Sequence, residues 1–184
     1  GRDAELDTLD RAWRAVVANG QAKTLILRGE AGIGKSRLVQ AFYESIVLHQ
    51  GIRLQMQCSQ FHSSTALHPF IQELRMRAGV QRGDDSAASK DKLRQALVHE
   101  GPIDDEELPI LAALLNLDID GGATSFVMVP DKLKLSTMTL LLNRVRRLAS
   151  TVPVLWIFED AHWADPTSVE LLRMIQRQLA DVPV

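Results

Sequence analysis

The chain reads TLILRGEAGIGKS from Thr24 to Ser36, and this stretch decides the fold. Thr24–Leu27 is a short, apolar, β-prone run between turn-forming residues, which predicts a buried strand. Residues 29–36 fit the pattern G-x-x-x-x-G-K-[ST], and the apolar spacing after Ser36 predicts a helix. A strand, a glycine-rich loop and a helix in this order are typical of a segment that binds nucleotide phosphates.

Each part of this loop has a physical role in holding phosphate. The glycines let successive backbone N–H groups face one anion, and the following helix N-terminus adds partial positive charge. Lys35 would reach the β- and γ-phosphates as a catalytic residue, and the Ser36 hydroxyl would ligate Mg²⁺. The predicted nucleotide-binding residues here are Gly29, Glu30, Ala31, Gly32, Ile33, Gly34, Lys35, Ser36 and Arg37. The alternative, a chance glycine-rich turn, is disfavoured by the flanking strand and helix.

A second chemical feature follows another apolar run. Val154–Phe158 fits a fully buried parallel strand, and Glu159 and Asp160 come directly after it. Acids at the carboxyl end of such a strand face the crevice into which the phosphate loop opens. One could hold Mg²⁺ opposite Ser36 while the other polarises the water that attacks the γ-phosphate, so both are predicted metal-binding and catalytic residues. The alternative is a charge pair that begins the next helix.

Composition and charge are those of a globular domain. The chain has 184 residues, of which 46% are hydrophobic and 24% charged, enough for one sizeable core. A net charge of -2 predicts no direct nucleic-acid contact, and no apolar run is long enough to span a membrane. The single Cys58 excludes an internal disulfide and indicates a reducing, cytoplasmic compartment. Because the chain starts at Gly1 without a leader, we expect residues 1–184 to be one domain of a longer protein.

The remaining periodicities predict mostly helices around a few strands. They indicate an amphipathic helix over Asp3–Val17, a half-buried strand over Ile52–Gln57 and a helix that begins near Pro69. Further predicted segments are a loop at 78–90, helices at 91–99, 109–117 and 131–149, an acidic irregular run at 101–107, a loop at 118–130 and a helix capped by Asp165. The helices between the second and third strands form an insertion of unassigned function.

Several reactive side chains receive a structural interpretation. Cys58 is predicted to be a small buried hydrophobe rather than a nucleophile paired with His62. His62 and His68 are interpreted as surface or capping residues, because acidic or cysteine partners are missing from their pattern. The arginines at 144, 146 and 147 and the acidic run at 104–107 are interpreted as solvated faces, the arginines in preference to an arginine finger.

Three segments resemble one group of signalling ATPases. The opening GRDAEL resembles the GRExEL start of AAA-like and STAND ATPases, which implies that Arg2 lies near the adenine. The run CSQFHSSTALHPFIQEL from Cys58 resembles the ATPase domains fused to class III adenylyl and guanylyl cyclases and to large LuxR-type regulators. EDAHWADPTSVELL from Glu159 resembles the DDLHWAD signature of STAND ATPases, in which the first acid is usually Asp. The Glu–Asp order here departs from that pattern, so we expect ATP binding without fast turnover, and His162 either senses the γ-phosphate or caps the turn.

The resemblance implies a three-layer α/β P-loop NTPase fold with a parallel sheet and a helical insertion between the second and third strands. It also implies that Val182–Val184 begins a strand between the phosphate-loop strand and the acidic strand, so that the domain is C-terminally truncated, has exposed sheet edges and binds nucleotide weakly alone.

The implied function is an ATP- and Mg²⁺-dependent switch of a bacterial signalling or transcription regulator. Its expected partners are ATP or ADP, downstream helical and output domains (DNA-binding or cyclase) and a second copy on ATP binding. The alternatives are a metabolic P-loop kinase or ATPase, and a degenerate scaffold that binds no nucleotide.

Overall fold

The computed structural model describes residues 2–46, 51–81, 83–117 and 130–184. The helices are α1 (Asp3–Asn19), α2 (Lys35–Ile46), α3 (His68–Ala78), α4 (Ser86–His99), α5 (Glu107–Leu114), α6 (Pro130–Thr151) and α7 (Pro166–Gln178), and the strands are β1 (Ile52–Gln57) and β2 (Val154–Glu159). Short 3₁₀ turns cover Gln60–His62 and Ala161–Trp163. None of the described helices combines the length and apolarity that crossing a membrane requires.

The two strands form a parallel pair in which Ile52 lies opposite Val154 and Gln57 opposite Glu159. The half-buried character predicted for β1 is confirmed, since its apolar residues at 54 and 56 are buried and its polar residues are not. The parallel orientation of β2 is also confirmed. The prediction that β2 is fully buried is wrong, because only Val154 and Ile157 fall in the buried class.

The predicted strand at Thr24–Leu27 does not form among the described residues. Its apolar side chains are exposed, with Ile26 at 70%. Strand formation requires a hydrogen-bonded neighbour. Within the described part of the chain, the backbone bonds of this segment lie at its start, where the Ala22 N–H donates to Ala180 O at 3.1 Å and the Lys23 N–H donates to Val184 O at 3.0 Å. The prediction failed because local composition favours an extended chain but cannot supply that neighbour.

Val182–Val184, which the resemblance implies begins a strand, is not a strand in the structure, although its backbone bonds both to the segment before the phosphate loop and to β2. On one side the Val154 N–H donates to Pro183 O at 2.8 Å, and on the other Val184 O accepts from Lys23. Within the described residues the sheet itself has two strands, β1 and β2. The residues that run into the phosphate loop are therefore not part of this sheet, and the exposed sheet edge expected of a truncated domain stays a prediction.

The core consists of two clusters that meet at β2. One joins the buried faces of α1 and α2 and includes the Leu155 side chain. The other gathers buried residues of β1 and of helices α3 to α7, with Trp156 and Phe158 packed against it. Neighbouring residues of a strand point to opposite faces, so helices lie on both sides of β2. The result is a mixed helix–strand fold with a small parallel sheet, consistent with an α/β P-loop protein.

Helix boundaries differ from prediction mainly in the region between the strands. Helix α4 begins at Ser86 rather than at 91, because the Asp85 carboxylate accepts the Ala88 N–H at 2.7 Å and caps it. Helix α5 covers 107–114 rather than 109–117, and Asn116 beyond it has a left-handed backbone (φ 54°). Helix α6 extends beyond both predicted ends, whereas most of the predicted loop at 118–130 lies outside the described residues. The ends of α1, and the N-cap of α7, agree with prediction to within two residues.

The charged faces predicted between the strands are partly buried instead. The Arg144 side chain is 3% exposed and lies between Glu73 and Glu100, which both bond it at 2.6 Å. Arg147 pairs with Glu107, whose side chain is 1% exposed. The solvated interpretation was therefore wrong for these residues, because long-range partners compensate the charges. It holds for the exposed acids at 104–106.

Candidate functional site

The phosphate loop is a tight turn that leads directly into α2. Gly32 and Gly34 have φ of 76° and 94°, values that glycine adopts without strain. The Ile33 N–H donates to Glu30 O at 3.4 Å and closes the turn. A Cβ added to Gly29 would lie 3.1 Å from Cγ2 of Ile33, so the loop folds closely on itself. The predicted glycine positions therefore serve a compact turn at the start of a helix.

Lys35 extends its ammonium group back over this loop. Its Nζ donates to Gly29 O and to Glu30 O, both at 2.9 Å. Both acceptors are neutral carbonyls, and no described ion pair joins Lys35 to a carboxylate. The ammonium is thus positioned at the loop with its charge uncompensated.

Helix α2 concentrates positive charge at its N-terminus. It begins Lys35-Ser36-Arg37 and has no acidic residue in its first turn. Helix N-termini carry partial positive charge, so cations there are unfavourable unless an anion binds. Ser36 and Arg37 are exposed, which leaves them accessible to such a ligand.

Arg2 also contacts the loop. Its Nη2 donates to the backbone oxygen of Ile33 at 2.5 Å, and its Nη1 lies 3.4 Å from the Glu5 carboxylate. Arg2 is thus bonded to the phosphate loop itself, and the sequence contained no signal for this contact across 31 residues.

The acidic pair lies at the carboxyl end of β2. Glu159 is half-buried, and its backbone oxygen accepts the Cys58 N–H at 3.0 Å. Asp160 is exposed and left-handed (φ 51°), and its carboxylate accepts from the Gln57 amide at 3.3 Å. A non-glycine residue in this conformation carries modest strain, which tends to occur at functional positions. Gln57, absent from the predicted site, comes from the adjacent end of β1.

The predicted halves of the site are not bonded to each other in the described part of the chain. Hydrogen bonds connect Lys35 to the loop and Asp160 to Gln57, but none connects Ser36 to Glu159 or Asp160. The shared magnesium site of these three residues stays a prediction. Among the described residues, no three His, Cys, Asp or Glu side chains lie close enough together to hold a metal ion without a ligand of another type, such as the Ser36 hydroxyl.

Asp165 performs more than its predicted cap. Its carboxylate accepts the Ser168 N–H at 2.9 Å at the start of α7 and also the Leu67 N–H at 3.2 Å just before α3. Leu67 has a left-handed backbone (φ 58°), and Asp165 is 2% exposed. One buried carboxylate thereby ties the segment after β1 to the segment after β2.

Cys58, His62 and His68 follow β1, and their surroundings are those of packed residues. Burial, helped by the charges of Asp165 and Asp160, raises the pKa of the Cys58 thiol to about 11, which disfavours the nucleophilic thiolate. The His62 and His68 rings stack with centroids 3.7 Å apart, and burial and the neighbouring ring lower the pKa of His68. The predicted burial of Cys58 is confirmed.

The groups at the loop and after β2 are of the chemical types that bind nucleotide phosphates and Mg²⁺. The loop offers backbone N–H groups, an uncompensated ammonium and a helix N-terminus to phosphate, and Ser36 and the acids offer oxygen ligands of the kind that Mg²⁺ prefers. Phosphate binding at this loop and magnesium binding at the acids stay predictions.

Comparison with known proteins agrees with this chemistry. Residues 1–184 match the family described as AAA ATPase domain. An uncharacterized protein of Rhizobium meliloti (strain 1021) is 29% identical over 186 residues, which cover 100% of this chain and 17% of the relative. No solved structure is significantly similar to the chain.

Proposed function

The chain belongs to the AAA ATPase domain family, and on that premise we propose that it is the ATP-dependent switch domain of a bacterial signalling or transcription regulator. Membership supports nucleotide binding, typically with Mg²⁺. The regulatory role rests on the resemblances at residues 1–6, 58–74 and 159–172. Because the chain aligns with only 17% of its Rhizobium relative, the activity of any whole protein belongs to the proposal.

The cationic start of α2 is the observation that carries ATP binding. Placing Lys35 and Arg37 at a helix N-terminus costs about 0.3–1 kcal/mol each in the absence of an anion. A bound triphosphate reverses this sign, because its charge interacts favourably with the cations and with the helix dipole. An arrangement that is unfavourable alone and favourable with phosphate is expected of a binding site.

The predicted catalytic residues divide the chemistry as follows. Lys35 holds the β- and γ-phosphates, Ser36 and one of the two acids ligate the metal, and the other acid orients water. Mg²⁺, when bound, neutralises phosphate charge and polarises the scissile bond. The Asp160 carboxylate is held by Gln57 on a left-handed backbone, which restricts its freedom to position water. Slow turnover follows from this restriction and from the Glu–Asp order.

The proposed switching depends on one nucleotide being bound at two places, the phosphate loop and the acids after β2. The phosphate loop leads into α2, which packs in the α1–α2 cluster, whereas the acids follow β2, whose Trp156 and Phe158 pack against the cluster of α3 to α7. A ligand held by both favours one arrangement of these parts, and hydrolysis or exchange releases it. Downstream helical and output domains, and a second copy of the chain, are the proposed readers of that arrangement.

Calorimetric titration with Mg–ATP and Mg–ADP tests the proposal, combined with measurement of phosphate release. Lys35→Ala should weaken ATP binding at least tenfold, because it removes the ammonium at the loop, and the wild type should release phosphate slowly. The matched control is Lys132→Ala, which removes an exposed lysine from α6 and should leave binding unchanged.

Three other results would contradict the proposal. Equal absence of binding in wild type and Lys35→Ala would favour a degenerate scaffold. Equal ATP binding by wild type and Lys35→Ala would show that Lys35 and its loop are not part of the binding site. Rapid phosphate transfer to a small acceptor would favour a metabolic kinase.

A further inference from the structure

We infer that Arg2 is a positioning residue for the phosphate loop, which fixes the Ile33–Gly34 peptide so that the Gly34 N–H is aimed at bound phosphate. This inference rests on the proposed nucleotide binding and deepens it. It gives Arg2 a role different from the adenine contact that the resemblance implies.

The contact is anchored on both sides. The Arg2 guanidinium donates to Ile33 O at 2.5 Å, while the Glu5 carboxylate lies 3.4 Å from its other terminal nitrogen. Arg2 is the residue before α1, and the buried face of α1 packs against α2. Since the loop leads into α2, the same helix pair fixes both ends of the hydrogen bond.

Peptide geometry converts this contact into an effect on phosphate. In a trans peptide the C=O of one residue and the N–H of the next point in opposite directions. A guanidinium that holds the Ile33 oxygen on one side therefore directs the Gly34 N–H to the other. Arg2 thus sets the direction of a donor without contacting the ligand.

Gly34 is the position at which such an anchor has the most effect. It has no side chain to restrict rotation, and its φ of 94° is open to glycine alone in practice. The peptide on its other side is already fixed, because Gly34 O accepts the Leu38 N–H at 3.0 Å in the first turn of α2. With Arg2 bound to Ile33, both peptides flanking Gly34 are held before the ligand arrives. Preorganised donors bind more tightly, because ordering them costs nothing on binding.

Two ligands distinguish whether Arg2 positions the phosphate loop or contacts the adenine base. Mg–ATP contains adenine, whereas magnesium tripolyphosphate has the phosphates alone. Arg2→Ala in the full chain should weaken both by the same factor, about threefold to tenfold, as expected for one charge-assisted hydrogen bond from a side chain that is 39% exposed. Arg2→Lys should recover part of the loss, since an ammonium can donate to the same oxygen.

A matched variant and a direct readout complete the test. Arg11→Ala removes an exposed arginine of α1 whose hydrogen bonds stay within that helix, so it should bind both ligands like wild type. The Gly34 amide resonance, measured without ligand, should move in Arg2→Ala and stay in place in Arg11→Ala. A merely structural role would lower the unfolding midpoint without this selective movement.

The outcomes distinguish this inference from the proposed function. Loss of ATP binding with unchanged tripolyphosphate binding would show a base contact and overturn the inference. If Arg2→Ala binds both ligands like wild type while Lys35→Ala binds neither, the inference fails and nucleotide binding stands. If wild type binds neither ligand, both fail together.

Discussion

Removing the Arg144 guanidinium should destabilise the domain more than any other single arginine substitution in α6. Arg144 is 3% exposed at its side chain and bonds two carboxylates on different helices, Glu73 of α3 and Glu100 just after α4, whose side chains are 4% and 6% exposed. Arg144→Ala leaves both carboxylates buried with Arg77 as their remaining cation, at 2.7 Å and 3.6 Å. The change therefore uncouples three helices at one point.

The magnitude follows from the burial of those carboxylates. Breaking a buried ion pair by removing one partner costs about 3–5 kcal/mol, and the remaining Arg77 contacts place Arg144→Ala near the lower end, about 3 kcal/mol. With a urea dependence of about 2 kcal/mol per molar, the unfolding midpoint should fall by roughly 1.5 M. Arg144→Lys, which keeps the charge but not the two-armed geometry, should lose about half as much.

The pH dependence gives this prediction a sign that can be checked. Burial raises the pKa of Glu73, but the charge and hydrogen bonds of Arg144 and Arg77 outweigh it, so its pKa lies below the usual value. In wild type this stabilisation is present above the unfolded pKa and is lost as the pH falls through the folded pKa. Without Arg144, burial has a larger share in setting the pKa of Glu73 in the folded state, and that pKa rises. Protonation of Glu73 at lower pH then removes the buried charge from the variant. The stability gap should narrow between pH 7 and about pH 4.

Urea unfolding at pH 7 and pH 4.5 measures both effects. Arg146→Ala is the matched control, because Arg146 is exposed on the same helix and donates to Gln178 O; it should shift stability by about 0.5 kcal/mol or less. A gap below about 1 kcal/mol for Arg144→Ala, or a gap that does not change with pH, would refute the reasoning about uncompensated buried charge.

Two further predictions concern backbone-level contacts, each read by urea unfolding at pH 7. Asp165→Ala should cost about 2–4 kcal/mol, because it removes a helix cap and also leaves the buried N–H before α3 without its acceptor. Asp85→Ala, which removes a cap alone, should cost about 1 kcal/mol, and equal losses would refute the cross-link. Gly51→Ala should cost about 1–3 kcal/mol, since its Cβ would lie 2.8 Å from the Trp13 indole. Gly83→Ala, where a Cβ meets nothing within 4 Å, should be close to neutral, and a similar loss in both would show that backbone freedom and not the clash decides.

Local periodicity predicted the elements whose formation depends on their own residues. The apolar spacing of α1, the alternation of β1 and the Asp165–Pro166 start of α7 each require information from fewer than twenty neighbouring positions. The glycine-rich loop and the helix after it were predictable for the same reason. These segments agree closely with the structure.

Contacts between distant positions could not be predicted this way. Arg144 lies 71 residues from Glu73 and 44 from Glu100, so its sequence neighbourhood gave no reason to expect burial. The same holds for the Asp165–Leu67 bond across 98 residues and for the Arg2–Ile33 bond. The strand predicted over residues 24–27 failed in the converse way, because its local pattern favours a strand but no described strand pairs with it.

Residues in locally unfavourable positions fall into two groups, those that have a compensating partner within the fold and those that do not. Arg144 breaks the rule against buried charge, but two carboxylates compensate it within the fold. The left-handed Leu67 is likewise held by Asp165. The cations at the start of α2 have no such partner among the described ion pairs, and Lys35 bonds only neutral carbonyls. Because folded proteins tend to keep uncompensated local conflicts where a ligand resolves them, this arrangement favours the phosphate loop as the place where the proposed nucleotide phosphates bind.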